Sequence, residues 1–466
     1  MAGRAEIKCI GPSGQLGDRK AAAQRSINLF MNQNDGLGED LQVYLQSAPG
    51  LALRATMLDT IRGSYNADGR WFVVAGSVLY ELSTAGVATS RGTLSSSSGF
   101  VSMVRGRDQL VMVDGASGYV FNLPINTFSV ITSANFRGSA WVAEIDGYFV
   151  FAAPGTEQFY ISKIDDASSF MALDLSSADT RPDNIITFRI HRHEILIFGT
   201  ISCEVWINSG DGNADKFPFV RYNSTPIDIG IVGNRAAAIA GDSIYFVGAT
   251  ERGRGYLYEM RGHQPTRVSI QPVEEALKAS TDITQCRIWS YHVVDAEFIG
   301  VWAPGMPTIW VFDLSTRQWH ERAEYVNGAW VPLRAEFVTF VDGNHYALGG
   351  TGVYLMSSDL YTIAEAPLIR ERTWPHLMAP SMEPVTYRGL ELACTTGSEV
   401  AGNITLECSN DGGFTWTAPR LKSLGQTGQY MQRVRWMPLG TARDRVFRLR
   451  CSDAVPLNIH AAAVDA

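Results

Sequence analysis

The chain has 466 residues, with 39 Lys and Arg against 47 Asp and Glu, a formal charge of −8 and a pI near 5.6. That acidity argues against a sequence-independent nucleic-acid binder, which needs many cations to neutralise phosphates. No apolar run approaches the roughly 20 residues of a membrane helix and none follows a basic start, so synthesis and retention in a cytosol-like compartment are expected.

Residues 1–60 read as an N-terminal segment of ring-closing or docking strands. Strands are predicted at 26–31 and 41–45, then a turn at Ser47-Ala48-Pro49-Gly50 leads into 51–57. From 61 to 370 one pattern recurs: an apolar run, a glycine or acidic turn, a second apolar run. It runs 71–75 through Gly76 to 78–82, then 110–113 through Asp114-Gly115 to 119–123, then 147–151 through Pro154-Gly155 to 159–162. It continues as 194–198 through Gly199 to 203–208, 243–247 to 256–260, and 345–348 through Gly349-Gly350 to 353–356. Val, Ile, Phe, Tyr and Trp suit a pleated half-buried surface, while Gly, Asp and Pro supply turn dihedrals that bulkier residues resist. The turn glycines Gly76, Gly115, Gly155 and Gly199 stand 39, 40 and 44 residues apart, close to the roughly 40–50-residue period of a propeller blade.

Between 261 and 340 the repeat is decorated. A short helix is predicted at 272–279 (PVEEALKA), with strands at 287–291, 298–302 and 308–312. After Pro367 the strands lengthen, at 387–394, 404–408, 432–436 and 446–451, and 371–466 reads as a C-terminal β-sandwich-like platform domain. The expected fold is all-β: a six- or seven-bladed β-propeller over 61–370 with this additional domain.

Candidate chemistry is sparse. Ser409-Asn410-Asp411-Gly412-Gly413-Phe414-Thr415-Trp416 fits S-x-D-x-G-x-T-W and looks like the Asp box of sialidases and other propellers. Its mechanics are structural, with Ser409, Asp411, Gly413 and Trp416 as the turn residues: Asp411 accepts backbone N–H groups across the turn, glycine permits positive dihedrals, and Trp416 packs under the loop. His191 and His193, two apart beside Glu194, would share a strand face, yet no third ligand follows and they read as surface histidines. Arg252-Gly253-Arg254-Gly255 and Gly349-Gly350-Thr351-Gly352 are turns, because neither opens a helix after a strand. Ser95–98 with Gly99 reads as a flexible loop without a nucleophile elbow. Six scattered cysteines, Cys9, Cys203, Cys286, Cys394, Cys408 and Cys451, form no C-x-x-C pair and are expected reduced and mostly buried. Near the C-terminus Arg433, Arg435, Arg443, Arg445, Arg448 and Arg450 crowd together, with Arg448 and Arg450 on one strand face. A solvated face competes there with a contact surface for an acidic neighbour. No catalytic, cofactor-binding or metal-binding set is assigned.

Several stretches in order resemble the packaged-DNA stabilisation proteins of short-tailed bacteriophages, also described as tail accessory factors or tail nozzles. They are Arg25-Ser26-Ile27-Asn28-Leu29, Ala48-Pro49-Gly50-Leu51, Val101-Ser102-Met103, Val113-Asp114-Gly115 with Gly118-Tyr119-Val120, and Ile145-Asp146-Gly147-Tyr148-Phe149 with Pro154-Gly155-Thr156. Downstream come Ser202-Cys203-Glu204-Val205-Trp206, Phe217-Pro218-Phe219, Gln318-Trp319-His320-Glu321-Arg322, Arg370-Glu371-Arg372-Thr373, Ser409–Trp416 and Arg443-Asp444-Arg445-Val446-Phe447-Arg448. The resemblance implies a non-enzymatic virion protein of the tail, assembled in the bacterial host cytoplasm as a homo-hexameric ring. It would sit below portal-adaptor proteins, close the DNA channel after packaging and conduct the genome at ejection. Tail spikes or fibres and a terminal needle or plug would attach around it, with no small-molecule substrate and no cofactor. Two rivals are a sialidase-like glycan-acting enzyme, which one essential carboxylate would reveal, and a stand-alone propeller binding module, which would stay monomeric.

Overall fold

Each apolar run of the repeat forms a strand, and each Gly or Asp turn folds the next run back antiparallel. The computed structural model describes residues 4–34, 42–211, 216–222, 226–251, 253–293, 296–379 and 381–466; Leu41 and Arg252 of the predicted elements lie outside them. The first unit is Ile61–Ala67, Arg70–Ala75, Val78–Leu82 and Ala88–Thr93, hydrogen-bonded in that order. Residues 102–130, 142–177, 185–221, 230–267 and 287–326 repeat the arrangement, the 230–267 unit with its first strand split in two. The last unit has Phe337–Val341, Asn344–Gly349 and Gly352–Ser357 from its own stretch, and its fourth strand is Gly50–Thr56 from the N-terminal segment. Seven such units follow one another among the described residues, and Phe337–Val341 packs back on Ile61–Ala67. Unit six fills the decorated stretch. The helix preceding it, Gln271–Lys278, starts with Pro272 in its first turn and buries Val273 and Leu277 against the core of the two flanking units.

The axis of the propeller is filled at one mouth. Phe100 stacks on Trp141 at 5.6 Å and on Phe337 at 6.2 Å. Arg235 lies over Phe100 and Phe337 at 4.9 and 4.2 Å, and Arg189 over Trp141 at 4.1 Å. These side chains come from units that are not all neighbours in the ring, and such units meet only at its axis. Both guanidiniums also donate to backbone carbonyls, Arg189 to Ala237 O at 2.8 Å. Burial pushes both down to about 9.

The C-terminal sandwich is built with strands from both ends of the chain. One sheet orders Leu29–Asn34, Gln42–Ser47, Asn458–Asp465, Gly389–Cys394 and Val434–Trp436. The other orders Arg25–Ile27, Arg370–Thr373, Asp444–Cys451, Asn403–Ser409 and Arg420–Ser423, and continues unbroken into unit six, where Ile27 pairs with Glu321. Leu45, Leu390, Leu406, Trp436, Phe447 and Leu449 make the core between the sheets.

The predicted strand at 26–31 is two strands. Asn28 has φ of 55°, a left-handed conformation that Asn tolerates better than most residues. Its side chain donates to Ala323 O and Ile369 O, both at 2.8 Å, and accepts from Ala323 N at 3.1 Å. That corner sends Arg25–Ile27 into one sheet and Leu29–Asn34 into the other.

Candidate functional site: the seam between propeller and sandwich

The seam is where the shared sheet crosses from Trp319–Val326 of unit six through Arg25–Ile27 to Arg370–Thr373. Alternation along the last of these strands would put polar side chains inside, and the structure partners them. Arg25 grips Glu321 with Nε and Nη2 at 2.9 and 2.6 Å, and Glu321 also accepts from Ser13 Oγ at 2.5 Å and Thr308 Oγ1 at 2.8 Å. Burial pushes the Glu321 carboxyl up, and these donors outweigh it, so it stays below the usual carboxylate range. Arg372 donates to Cys9 O and Pro12 O at 2.7 and 3.0 Å, and burial pushes it down to about 10. Arg370 caps the carbonyls of Asp453 and Val455, and Arg322 that of Pro49. The buried arginines thus tie together chain segments hundreds of residues apart.

The Asp-box turn forms the rim of this seam. Asp411 accepts from Phe414 N and Thr415 N at 3.0 Å, with Oγ groups of Ser409 and Thr415 also bound, and these donors hold its carboxyl well below the usual range. Ser409 Oγ accepts from Gly413 N at 2.8 Å, and Gly412 and Gly413 have φ of 83° and 92°, which a Cβ would strain. Trp416 lies beneath Gly413 and carries the Arg448 guanidinium at 4.0 Å.

The six candidate arginines do not form one surface. Arg448 and Arg450 share a face, paired through Nε with Glu407 and Glu371 at 2.7 Å. Arg433 is exposed beside Glu391, Arg435 pairs with Asp465 on the other sheet, and Arg443 is exposed. Arg445 corrects the expectation of a surface contact. It is 2% exposed, lies over Tyr387 and Phe447 at 4.9 and 5.7 Å and donates to Leu439 O, because its place on the strand faces the sandwich core.

Arg448 and Arg450 instead line a cleft of about 180 Å³ with Arg19, Arg25, Trp330 and Glu371. Arg450 lies over Tyr325 at 5.4 Å, and Arg19 lies over Phe414 at 5.0 Å while donating to Gly413 O at 2.7 Å. Sequence reasoning missed Arg19, Arg25, Trp330 and Glu371, which come from segments distant in the chain; no spacing signals their meeting.

Other candidates fall away from any site. His191 ends the strand Ile185–His191, whereas Arg192 and His193 form the turn with φ of 50° and 60°, so the two histidines do not share a face. Among the described residues no three His, Cys, Asp or Glu side chains converge as metal ligands. Ser95–98 is not a free loop: Arg62 donates to Ser96 O at 2.8 Å, Ser98 O at 2.5 Å and Gly99 O at 2.7 Å. Gly253 starts the strand Gly253–Arg261, so that glycine run is part turn, part strand. The six cysteines are free; five are buried and Cys394 is half-buried.

A propeller continued by one sheet into a sandwich, with the Arg25–Glu321 ion pair across the join, is a two-domain β-protein. Residues 22–348 match the family described as "Bacteriophage P22 Gp10, beta-propeller" and residues 370–466 the one described as "Bacteriophage P22 Gp10, beta-sandwich", and the chain belongs to this family. A curated relative, "Tail hub protein gp10" of Salmonella phage P22, is 26% identical over 245 residues, which are 51% of this chain and 52% of that protein. The matched part thus spans about half the length of the curated relative. Among solved structures, PorZ of the type-IX secretion system of Porphyromonas gingivalis is 12% identical, covering 79% of this chain and 46% of its own at a TM-score of 0.41. An exo-beta-1,3-galactanase from Phanerochaete chrysosporium is 8% identical, covering 78% and 95% at a TM-score of 0.30. At such scores these two likenesses carry no argument about activity.

Proposed function

We propose that this chain is a structural, non-enzymatic tail hub of a short-tailed phage, with six copies forming a ring below the portal-adaptor proteins. The ring extends the DNA channel, closes it after packaging and conducts the genome at ejection, with spikes or fibres and a needle or plug attached around it. The observation that carries this reading is the family match across both domains, in the order propeller then sandwich. The fold supports it physically, because a wall that bears internal pressure needs domains that do not hinge, and one sheet with the Arg25–Glu321 ion pair spans the join.

The path for DNA in this account lies between copies. Arg189, Trp141, Phe100, Phe337 and Arg235 fill each propeller's own axis. An overall charge of −8 suits a lumen that repels phosphates so that DNA slides without sticking. A mass measurement of the purified chain with its portal-adaptor proteins tests the assembly. A six-copy ring is expected; a chain that stays monomeric on the adaptor would contradict it, and a ring whose lumen is lined mainly by Arg and Lys would overturn the sliding argument.

A further inference from the structure

We infer that the seam cleft is a receptor for a carboxylate-bearing segment of a neighbouring tail protein, an inference that rests on the tail-hub reading. Each cleft arginine is fixed before anything binds. Arg448 is planted on Trp416 at 4.0 Å and held through Nε by Glu407, Arg450 lies over Tyr325 at 5.4 Å and is held through Nε by Glu371, and Arg19 lies over Phe414 at 5.0 Å. Holding Arg448 and Arg450 by Nε leaves the paired Nη groups of both without a hydrogen-bond acceptor among the described residues, and those are the edges that bind a carboxylate through two parallel hydrogen bonds. Being two apart on one strand, the two forks stand roughly 7 Å from one another. They can take two acidic side chains of one segment, and pre-fixed side chains lose little rotamer freedom on binding.

The cleft favours protein carboxylates over a nucleic-acid backbone. Its volume is about 180 Å³, and four arginines on its walls are set against Glu371, with Glu407 and Glu321 directly behind Arg448 and Arg25. Those acids limit the attraction for a polyanion while leaving the forks free for single carboxylates. The rim joins both domains, Trp330 from the propeller and Trp416 from the sandwich, so a bound segment would also span the join.

The test is fluorescence anisotropy of a labelled hexaglutamate peptide with the full chain, beside a hexaglutamine peptide and a labelled 20-base-pair DNA duplex. Hexaglutamate is expected to bind and hexaglutamine not to. Arg448→Lys, which keeps the charge but not the fork, and Arg19→Gln should each weaken binding about tenfold, whereas Arg433→Gln, remote from the cleft, should leave it unchanged. The Arg19 side chain makes one hydrogen bond among the described residues, to Gly413 O, so Arg19→Gln carries the test if Arg448→Lys unfolds. Hexaglutamate binding that is absent, or equal in all variants, overturns the inference. Duplex binding lost on the same substitutions would assign the cleft to phosphate and also overturn it. The titration uses the isolated chain, so its failure leaves the ring assay standing, and a failed ring assay leaves the cleft chemistry measurable.

Discussion

His320 and Glu321 sit side by side on one strand and answer to opposite environments. His320 is buried between Phe30 and Phe298 with ring centroids 5.8 and 5.5 Å away, and its Nε2 has no hydrogen-bond partner. Burial, helped by the charge of Arg322, pushes its imidazole down to about 3. Its folded value lies below its unfolded one, so stability is whole above about 6.5 and falls as pH drops from there towards 3, while the unfolded chain takes the proton and the native one does not. His320→Phe should therefore flatten the pH dependence of unfolding in that window by roughly 1.4 kcal/mol per pH unit; an unchanged slope in urea titrations would sink this assignment. Glu321 is lowered against its burial, so its contribution is present above about 4.5 and lost as pH falls through its folded value. Glu321→Ala leaves the mostly buried Arg25 without its carboxylate partner and should cost roughly 3 kcal/mol in urea unfolding. By contrast Arg433→Gln should not move the midpoint, because Arg433 is 65% exposed and its ion pair is screened by solvent. Little of this was legible beforehand: the motif holding His320 and Glu321 was visible, but Arg25 lies 296 residues from Glu321.

The elements were more legible than their partners. Alternation and turn chemistry marked the central hairpin of six units, three strands of unit six and the helix, since those signals are local, but not flanking strands such as Ile61–Ala67 and Ala88–Thr93; the Asp411 bonds that shape the Asp-box turn all lie within four residues of it. Which sheet a strand joins is settled by distant residues. The left-handed turn at Asn28 divides what reads as one strand, and Gly50–Thr56 leaves the N-terminal segment to complete the last propeller unit. A Cβ at Gly50 would stand 2.4 Å from Leu360 O and 2.5 Å from Thr362 O, so side chains are barred there by backbone. Gly50→Ala should cost about 1–3 kcal/mol and hasten proteolysis in the last unit, where Gly352–Ser357 would lose its neighbour. Cleavage no faster than in the unaltered chain would show that this strand does not hold the ring closed.

At the scale of the whole molecule, the repeats build a stiff body and the chemistry gathers at its seam. A propeller by itself is compatible with almost any function. What narrows the reading is the pairing of propeller and sandwich in one family, together with the stacked Phe100, Phe337 and Arg235 at the propeller's axis. The arginines visible as one basic stretch in the sequence divide in three dimensions, with Arg445 in the core, Arg448 and Arg450 in the cleft, and Arg433 and Arg443 in solvent. Strand parity could separate Arg445 from its neighbours, but which face was core depended on the opposing sheet. The most direct measurement of the central claim is electron microscopy of purified phage particles with this chain located in the density. A six-copy ring at the tail hub, directly below the connector and with the DNA path between subunits, is expected; a chain found outside the tail, or present there as single copies that enclose no channel, would contradict it.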